Sequence, residues 1–337
     1  MLSPRADDDS LGHSWSRRSL LAAGLAVLTT GCTLSDPAIR GGSLPVSPSS
    51  SGTASPTTPA KPSASAVAAV AERRLADLAE RVRTGSPKPS AARRALLRVV
   101  GATHLERATA LAAADPASRP VGQPPPAVAA TGKATLARLV TAERAAAAQY
   151  RRAAESSSGL TALLWGSMAV ASSRYAAALA AADTPTAAAP RRHQPMALVP
   201  DTTAVADLVA GLHAAVYGYQ LALGRLEPGS ATHDRAVDGL RDRRLLLGQL
   251  VERLDAAGAD VPAAKPAYVP DPTPRDAKTA ARLIRNLELA LVPFGGLWLA
   301  AAARAADRRR ALEVLTDTVA RSERWGAEVL PWPGWRD

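Results

Sequence analysis

The chain has little of several residue types that usually carry chemistry or stabilise small secreted domains. Its 337 residues include one cysteine, Cys32, and one phenylalanine, and aromatic residues make up 4% of the sequence. A single cysteine excludes an intramolecular disulfide framework. None of the five histidines follows a glutamate at a spacing of three residues, which is the spacing that lets both side chains reach one metal from a helix.

Several functional motifs are also absent. There is no Gly-x-Ser-x-Gly element, no P-loop, no dinucleotide-binding glycine pattern and no zincin motif. No block of basic residues is interleaved with aromatic residues, so nucleic acid is not a predicted partner. These absences exclude the common hydrolase, nucleotide-binding and nucleic-acid-binding classes.

The N-terminal stretch SRRSLLAAGLAVLTTGC, residues 16–32, has the layout of an export signal. Arg17 and Arg18 precede a short apolar run, and small residues lead into Cys32. The run is shorter than the ~20 residues that span a bilayer, so it does not predict a permanent transmembrane helix. The stretch predicts export, and both the twin-arginine and the general secretory route stay open.

The surroundings of Cys32 resemble a lipoprotein cleavage site, at which a lipid is attached to the cysteine. Residues 33–65 are rich in Ser, Thr and Pro and have the composition of a disordered tether. A lipid followed by a tether predicts a protein anchored to the extracytoplasmic face of the cell membrane. An ordinary secreted protein with a free thiol is the alternative.

The formal net charge is +11. A basic exterior favours anionic lipid or cell-wall polymer as a partner, and an arginine-rich solvated surface with no such partner is the alternative.

Apolar residues recur with helical periodicity in eight segments, separated by loops rich in Pro, Gly and Ser. The segments are 66–83, 91–113, 127–154, 160–182, 203–225, 232–256, 274–304 and 307–330. Ser90 is the expected N-cap of the second helix and Thr273 that of the seventh. Gly258 is expected to end the sixth helix.

The predicted fold class is all-α, with two tandem four-helix bundles. The expected divisions are a signal at 1–32, a tether at 33–65, a bundle at 66–183, a linker at 184–202, a bundle at 203–331 and a tail at 332–337. The fourth and eighth segments align from Ser172 and Ser322, and Glu143 matches Glu288, which indicates an internal duplication. Convergence of alanine-rich helices is the alternative. The tail is expected to pack back onto a bundle.

The fifth segment, ADLVAGLHAAVYGYQLALGRL, resembles the first helix of a family of ferritin-like domains in actinobacterial lipoproteins, a family without an assigned function. Residues 213–219 are its most specific part. The resemblance covers 203–330, and 66–183 resembles a second, diverged copy. It implies two ferritin-like bundles. Leu212 stands where the family often has glutamate, so we expect no di-iron site, no cofactor and no metal ligands.

Five polar residues remain as candidates for the bundle cores: His213, Tyr217, Glu143, Glu288 and Glu323. His213 and Tyr217 are expected to form a hydrogen-bonded core pair, with a small ligand pocket as the alternative. We therefore predict a non-enzymatic, membrane-anchored binding or scaffold module with an unspecified protein partner. The alternative is a ferritin-like metal-binding oxidase or storage protein that uses the residual carboxylates.

Overall fold

A computed structural model describes residues 63–85, 87–113, 115–117, 126, 132–190 and 196–336 of the chain. These residues contain eight α-helices and no β-strand. The helices are α1 (Ala64–Thr84), α2 (Ala91–Leu111), α3 (Leu136–Ser156), α4 (Gly159–Ala180), α5 (Asp201–Leu223), α6 (Ala231–Ala256), α7 (Ala277–Ala301) and α8 (Ala305–Arg324). The predicted all-α class is confirmed. Cys32, Arg17 and Arg18, together with tether residues 33–62, lie outside the described residues. The predicted end of the tether at residue 65 is wrong, because α1 begins at Ala64.

Side-chain caps fix several helix starts. Ser90 accepts a hydrogen bond from the Arg93 amide at 3.2 Å, as the sequence predicts. The predicted N-cap of α7 is wrong, because Asp276 caps the helix and forms a reciprocal capping box with Thr279. Gly258 follows the end of α6 at φ +63°, a conformation that glycine adopts without steric cost.

Several helices are shorter than the periodicity predicts, among them α3, α7 and α8. Residues 132–135 lie outside α3, whose N-cap is Thr135. α8 ends at Arg324 instead of continuing to Leu330, because Gly326 adopts φ +86° and turns the chain away. Residues 325–336 therefore form a non-helical segment, which we call the tail segment.

Packing contacts connect all eight helices. α1 packs on α2 and α3 packs on α4, whereas α5 packs on α6 and α7, and α7 packs on α8. We call α1–α4 the first half and α5–α8 the second half. α4 also contacts α7 and α8, and α3 contacts α8, so the two halves meet along these helices.

The halves share an apolar core. One cluster of buried residues contains Met168 of α4 together with Leu299 of α7 and Leu312 of α8. Most of α4 and the C-terminal part of α7 are buried on all sides, which explains why their sequences are apolar over several consecutive turns. Among the described helices, α7 alone is long and apolar enough to cross a bilayer, and 61% of its most apolar window is buried inside the fold.

Candidate functional site

A fully buried ionic cluster lies at the centre of the first half. Glu72 of α1, His104 of α2 and Glu143 of α3 are each 0% exposed. The Nδ1 of His104 lies 2.7 Å from a Glu72 oxygen, and its Nε2 lies 2.6 Å from a Glu143 oxygen. Burial alone would lower the pKa of His104, but the carboxylates of Glu143 and Glu72 outweigh burial and raise this pKa to about 9. His104 is therefore an imidazolium at neutral pH, and both ring nitrogens donate.

Two more side chains complete this cluster. The Tyr150 hydroxyl donates to Glu72 at 2.5 Å, and Arg107 lies 4.0 Å from the same carboxylate. Burial raises the pKa of Glu72, whereas His104, Arg107 and Tyr150 together lower it below its ordinary value. Glu72 is consequently ionised, and the two carboxylates of the cluster face two cations.

Arg107 connects the first-half cluster to the tail segment. One guanidinium nitrogen donates to the Pro331 carbonyl at 2.8 Å and another donates to Ser172 at 3.3 Å. The guanidinium lies over the rings of Tyr175 and Trp332, at 5.7 and 5.5 Å from their centroids.

The second half contains a smaller cluster around Glu288 of α7. Arg243 of α6 donates to both carboxylate oxygens of Glu288 and to the hydroxyl of Thr318 on α8. The Tyr219 hydroxyl of α5 donates to Glu288 at 2.7 Å. Burial and the Glu288 charge raise the pKa of Tyr219, so its phenol stays protonated. Gly239 permits this arrangement, because a Cβ there would come within 2.7 Å of the Tyr219 ring.

The two clusters occupy corresponding places. In each half the glutamate lies on the third helix, and the cation that binds it lies on the second helix. One register matches seven of the eight buried positions of α1 to buried positions of α5, and it places Glu72 opposite Leu212. The second half therefore has an apolar side chain where the first half has its second carboxylate.

Neither cluster has the donor set of a two-metal centre. In the second half, a permanent guanidinium and a phenol already bind the Glu288 carboxylate. In the first half, carboxylates bind both nitrogens of His104, and of the four oxygens of Glu72 and Glu143 one, Oε2 of Glu143, has no hydrogen-bond partner. Within the described ranges, no group of three or more His, Cys, Asp or Glu side chains is arranged to hold a metal ion.

The structure separates the five polar residues singled out from the sequence. Glu143 and Glu288 are buried at the centres of their own halves. Glu323 instead pairs with Arg174 of α4 at 2.8 Å, where the two halves meet, and burial raises its pKa.

His213 and Tyr217 do not form the expected core pair. Both are half-buried on the outer side of α5, where the loop between α6 and α7 covers them. The His213 Nε2 donates to the Pro262 carbonyl at 3.1 Å, and the Tyr217 ring packs against Tyr268 with centroids 5.5 Å apart. These two side chains fix the loop instead of lining a pocket in the bundle. His193 lies outside the described residues.

Sequence reasoning missed three hydroxyl-bearing residues of the clusters, Tyr150, Tyr219 and Thr318. It also missed four charged ones: Glu72, His104, Arg107 and Arg243. Each falls at the spacing of the buried apolar residues of its helix, as Glu72 does between Ala69 and Leu75. A charged side chain within an otherwise apolar helical face was the signal that could have identified them.

Comparison with known protein families gives a match in the second half. Residues 204–337 match a family described as a domain of unknown function, DUF4439. A solved structure of a conserved hypothetical protein, rv2844, from Mycobacterium tuberculosis is 28% identical, with a TM-score of 0.36. The match covers 37% of this chain and 93% of that chain. The comparison with curated proteins gave no match.

Proposed function

We propose that this protein is a lipid-anchored, extracytoplasmic binding or scaffold module of two ferritin-like four-helix bundles, without a di-iron site or enzymatic activity. The observation that carries this proposal is the pairing of Arg243 with Glu288 at the centre of the second half. A ferritin-like centre needs carboxylates that are free to bind metal. Here the guanidinium of Arg243 binds the Glu288 carboxylate in the place that a metal ion would take.

The charge of Arg243 is permanent, because a guanidinium is not deprotonated in proteins. Its bonds to both Glu288 oxygens leave that carboxylate compensated in a dry environment, where breaking such a pair is costly. In the first half the imidazolium of His104 compensates Glu143 in the same way. Both central glutamates thus face an internal cation instead of an added ion, and we place recognition on the exterior.

Metal content is the direct test. Mature protein purified without chelators is expected to carry no stoichiometric iron or manganese by elemental analysis. Its melting temperature is expected to stay constant as either ion is added, because a ligand that binds only the native state would raise it. Two metal ions per half would overturn the proposal. Arg243→Ala leaves the Glu288 carboxylate without its guanidinium partner. Measured beside the wild type, this variant shows whether the assay detects a metal ion at a free carboxylate.

A metal-binding oxidase or storage function is the competing proposal. It is favoured by one observation, the unpartnered Oε2 of the buried Glu143 beside Glu72 and His104. If it holds, added iron raises the melting temperature and supports oxygen consumption, and Glu143→Gln abolishes both effects. An equal response of the wild-type and Glu143→Gln proteins to iron removes it.

Anchoring and the basic exterior are tested separately. Cys32→Ser is expected to move the protein from the membrane fraction to the soluble extracytoplasmic fraction.

Anionic vesicles are expected to sediment the unlipidated protein at low salt and to release it as salt rises, because surface electrostatics weaken with ionic strength. Binding that is independent of salt would exclude anionic lipid as an electrostatic partner.

A further inference from the structure

The tail segment contains a deeply buried stretch. Residues 331–335 are all buried, and Trp332 and Trp335 are 7% and 4% exposed. This segment belongs to no helix, yet both of its tryptophans lie in the apolar core that the two halves share.

The surface that receives the tail segment has features of a peptide site. Its floor lacks a side chain at Gly296 of α7, where a Cβ would come within 2.0 Å of the Gly334 carbonyl oxygen. Gly334 itself has φ +92°, and a Cβ there would lie 3.1 Å from Leu163 of α4 and from Leu315 of α8. Backbone therefore lies directly on backbone, between helices of the two halves.

Polar groups of the same surface bind the tail backbone at two places. Arg107 donates to the Pro331 carbonyl at 2.8 Å and stacks on Trp332. Nearer the start of the segment, the Val329 amide donates to the Thr186 carbonyl at 3.1 Å. The Val329 carbonyl accepts from the Ala188 amide at 3.0 Å. These two bonds form a short parallel bridge of the kind used when an extended peptide is added to an exposed backbone.

The turn that joins α8 to the rest of the tail segment is accessible to solvent at Arg324 and Gly326, and Gly326 adopts φ +86°. Beyond this turn Ala327 and Val329 are buried, and Glu328 between them is exposed. Gly326 is thus an accessible point between α8 and the buried residues of the tail segment.

We propose that the surface between the two halves is a peptide-binding groove whose resident ligand is the chain's own tail segment. The ligand is extended at Val329 and makes a turn between two tryptophans three residues apart, in which the Trp335 amide donates to the Trp332 carbonyl at 3.3 Å. Backbone donors and acceptors set the register, Gly296 admits the ligand backbone, and the two indoles supply most of the affinity. The inference rests on the contacts of the tail and holds whether or not the interior of either half binds metal.

The test separates the ligand from the groove after folding. A protease site is inserted at Gly326, the full chain is folded, and the link is then cut. A labelled peptide of residues 327–337 is expected to exchange into the cut protein and to be displaced by unlabelled peptide. Peptides carrying Trp332→Ala or Trp335→Ala are expected to bind about 30-fold more weakly, the loss typical of a buried aromatic anchor. A peptide of scrambled order is the control for composition.

Three results would overturn the proposal. Cut protein that releases its tail and does not rebind the labelled peptide has no groove. Cut protein that never exchanges, even in mild denaturant short of unfolding, holds the segment as ordinary core. Equal binding of the natural and scrambled peptides removes the specificity that the contacts imply.

Discussion

In the first half, the cation that meets the central glutamate is a histidine, and in the second half it is an arginine. His104 lies between two carboxylates, with Arg107 nearby, whereas Arg243 meets a single carboxylate, with Tyr219 and Thr318 alongside. Both arrangements neutralise buried negative charge, but only the imidazolium can lose its proton in the accessible pH range. Similar helical frameworks thus contain one cluster built on an imidazolium and one built on a guanidinium.

Of the predicted changes, removal of Arg243 should lower the free energy of unfolding most. Arg243→Met leaves Glu288 buried and uncompensated, and we expect it to lower the free energy of unfolding by about 3–5 kcal/mol. The double variant Arg243→Met, Glu288→Leu should recover most of this loss, since no charge then remains to be compensated. Urea unfolding followed by circular dichroism measures both. A single variant as stable as wild type would show that Arg243 does not compensate Glu288.

Raising the pH should lower the free energy of unfolding through the His104 cluster of the first half. The folded pKa of His104 is about 9, above the ordinary value of 6.5, so its stabilisation is complete below about pH 6.5 and is lost as pH rises through 9. We expect a decrease on the order of 3 kcal/mol across this interval. Urea midpoints measured from pH 6 to pH 9.5 give the profile.

His104→Gln is the control for that profile, because it removes the titrating group and should flatten the pH dependence. A wild-type profile that is already flat would contradict the assignment of His104 as an imidazolium. NMR titration of the ring resonances gives the pKa directly.

The two tyrosines allow a matched comparison of single hydrogen bonds. Tyr150→Phe and Tyr219→Phe each remove one hydroxyl donor from a buried carboxylate. We expect each variant to be destabilised by about 2 kcal/mol, since bonds to charged acceptors are among the stronger ones. The loss caused by Tyr219→Phe relative to wild type should be the same at pH 6.5 and pH 9, because a guanidinium is charged at both values. Chemical denaturation at these two pH values provides the measurement, and a pH-dependent loss at Tyr219 would contradict it.

Replacing a glycine on the second helix of either half by alanine should change the free energy of unfolding least, and should increase it. A Cβ at Gly248 of α6 meets no atom within 4 Å, and one at Gly101 of α2 makes only ordinary contacts with α1 at 3.8 Å. Gly101→Ala and Gly248→Ala should each stabilise the protein by about 0.5–1 kcal/mol through helix propensity. Thermal unfolding of both variants tests this, and destabilisation at Gly101 would reveal tighter packing between α1 and α2.

The sequence allowed the helices to be predicted because their periodicity and capping residues are local. Gly258 and Ser90 act on the backbone beside them, and both ends were placed correctly. The N-cap of α7 was placed too early because Thr273 and Asp276 both resemble caps, and only the reciprocal bond with Thr279 distinguishes them.

The clusters could be predicted only in part. Burial of Glu143 and Glu288 followed from their helix positions, but their partners are 39 and 45 residues away along the chain. Pairing at such a distance depends on how the helices pack. His213 and Tyr217 were placed in the core because their helix is apolar on several faces, and the covering loop that contacts them has no periodicity to reveal it.

Because Arg243 is part of the polypeptide, the second half does not depend on its surroundings for the cation that neutralises Glu288. A bundle held together by a bound ion loses stability when the free concentration of that ion falls, by mass action. The guanidinium that neutralises Glu288 is part of the polypeptide, so neither dilution nor a chelator can withdraw it. The second half is therefore balanced in charge from the moment it folds, whatever ions its surroundings provide.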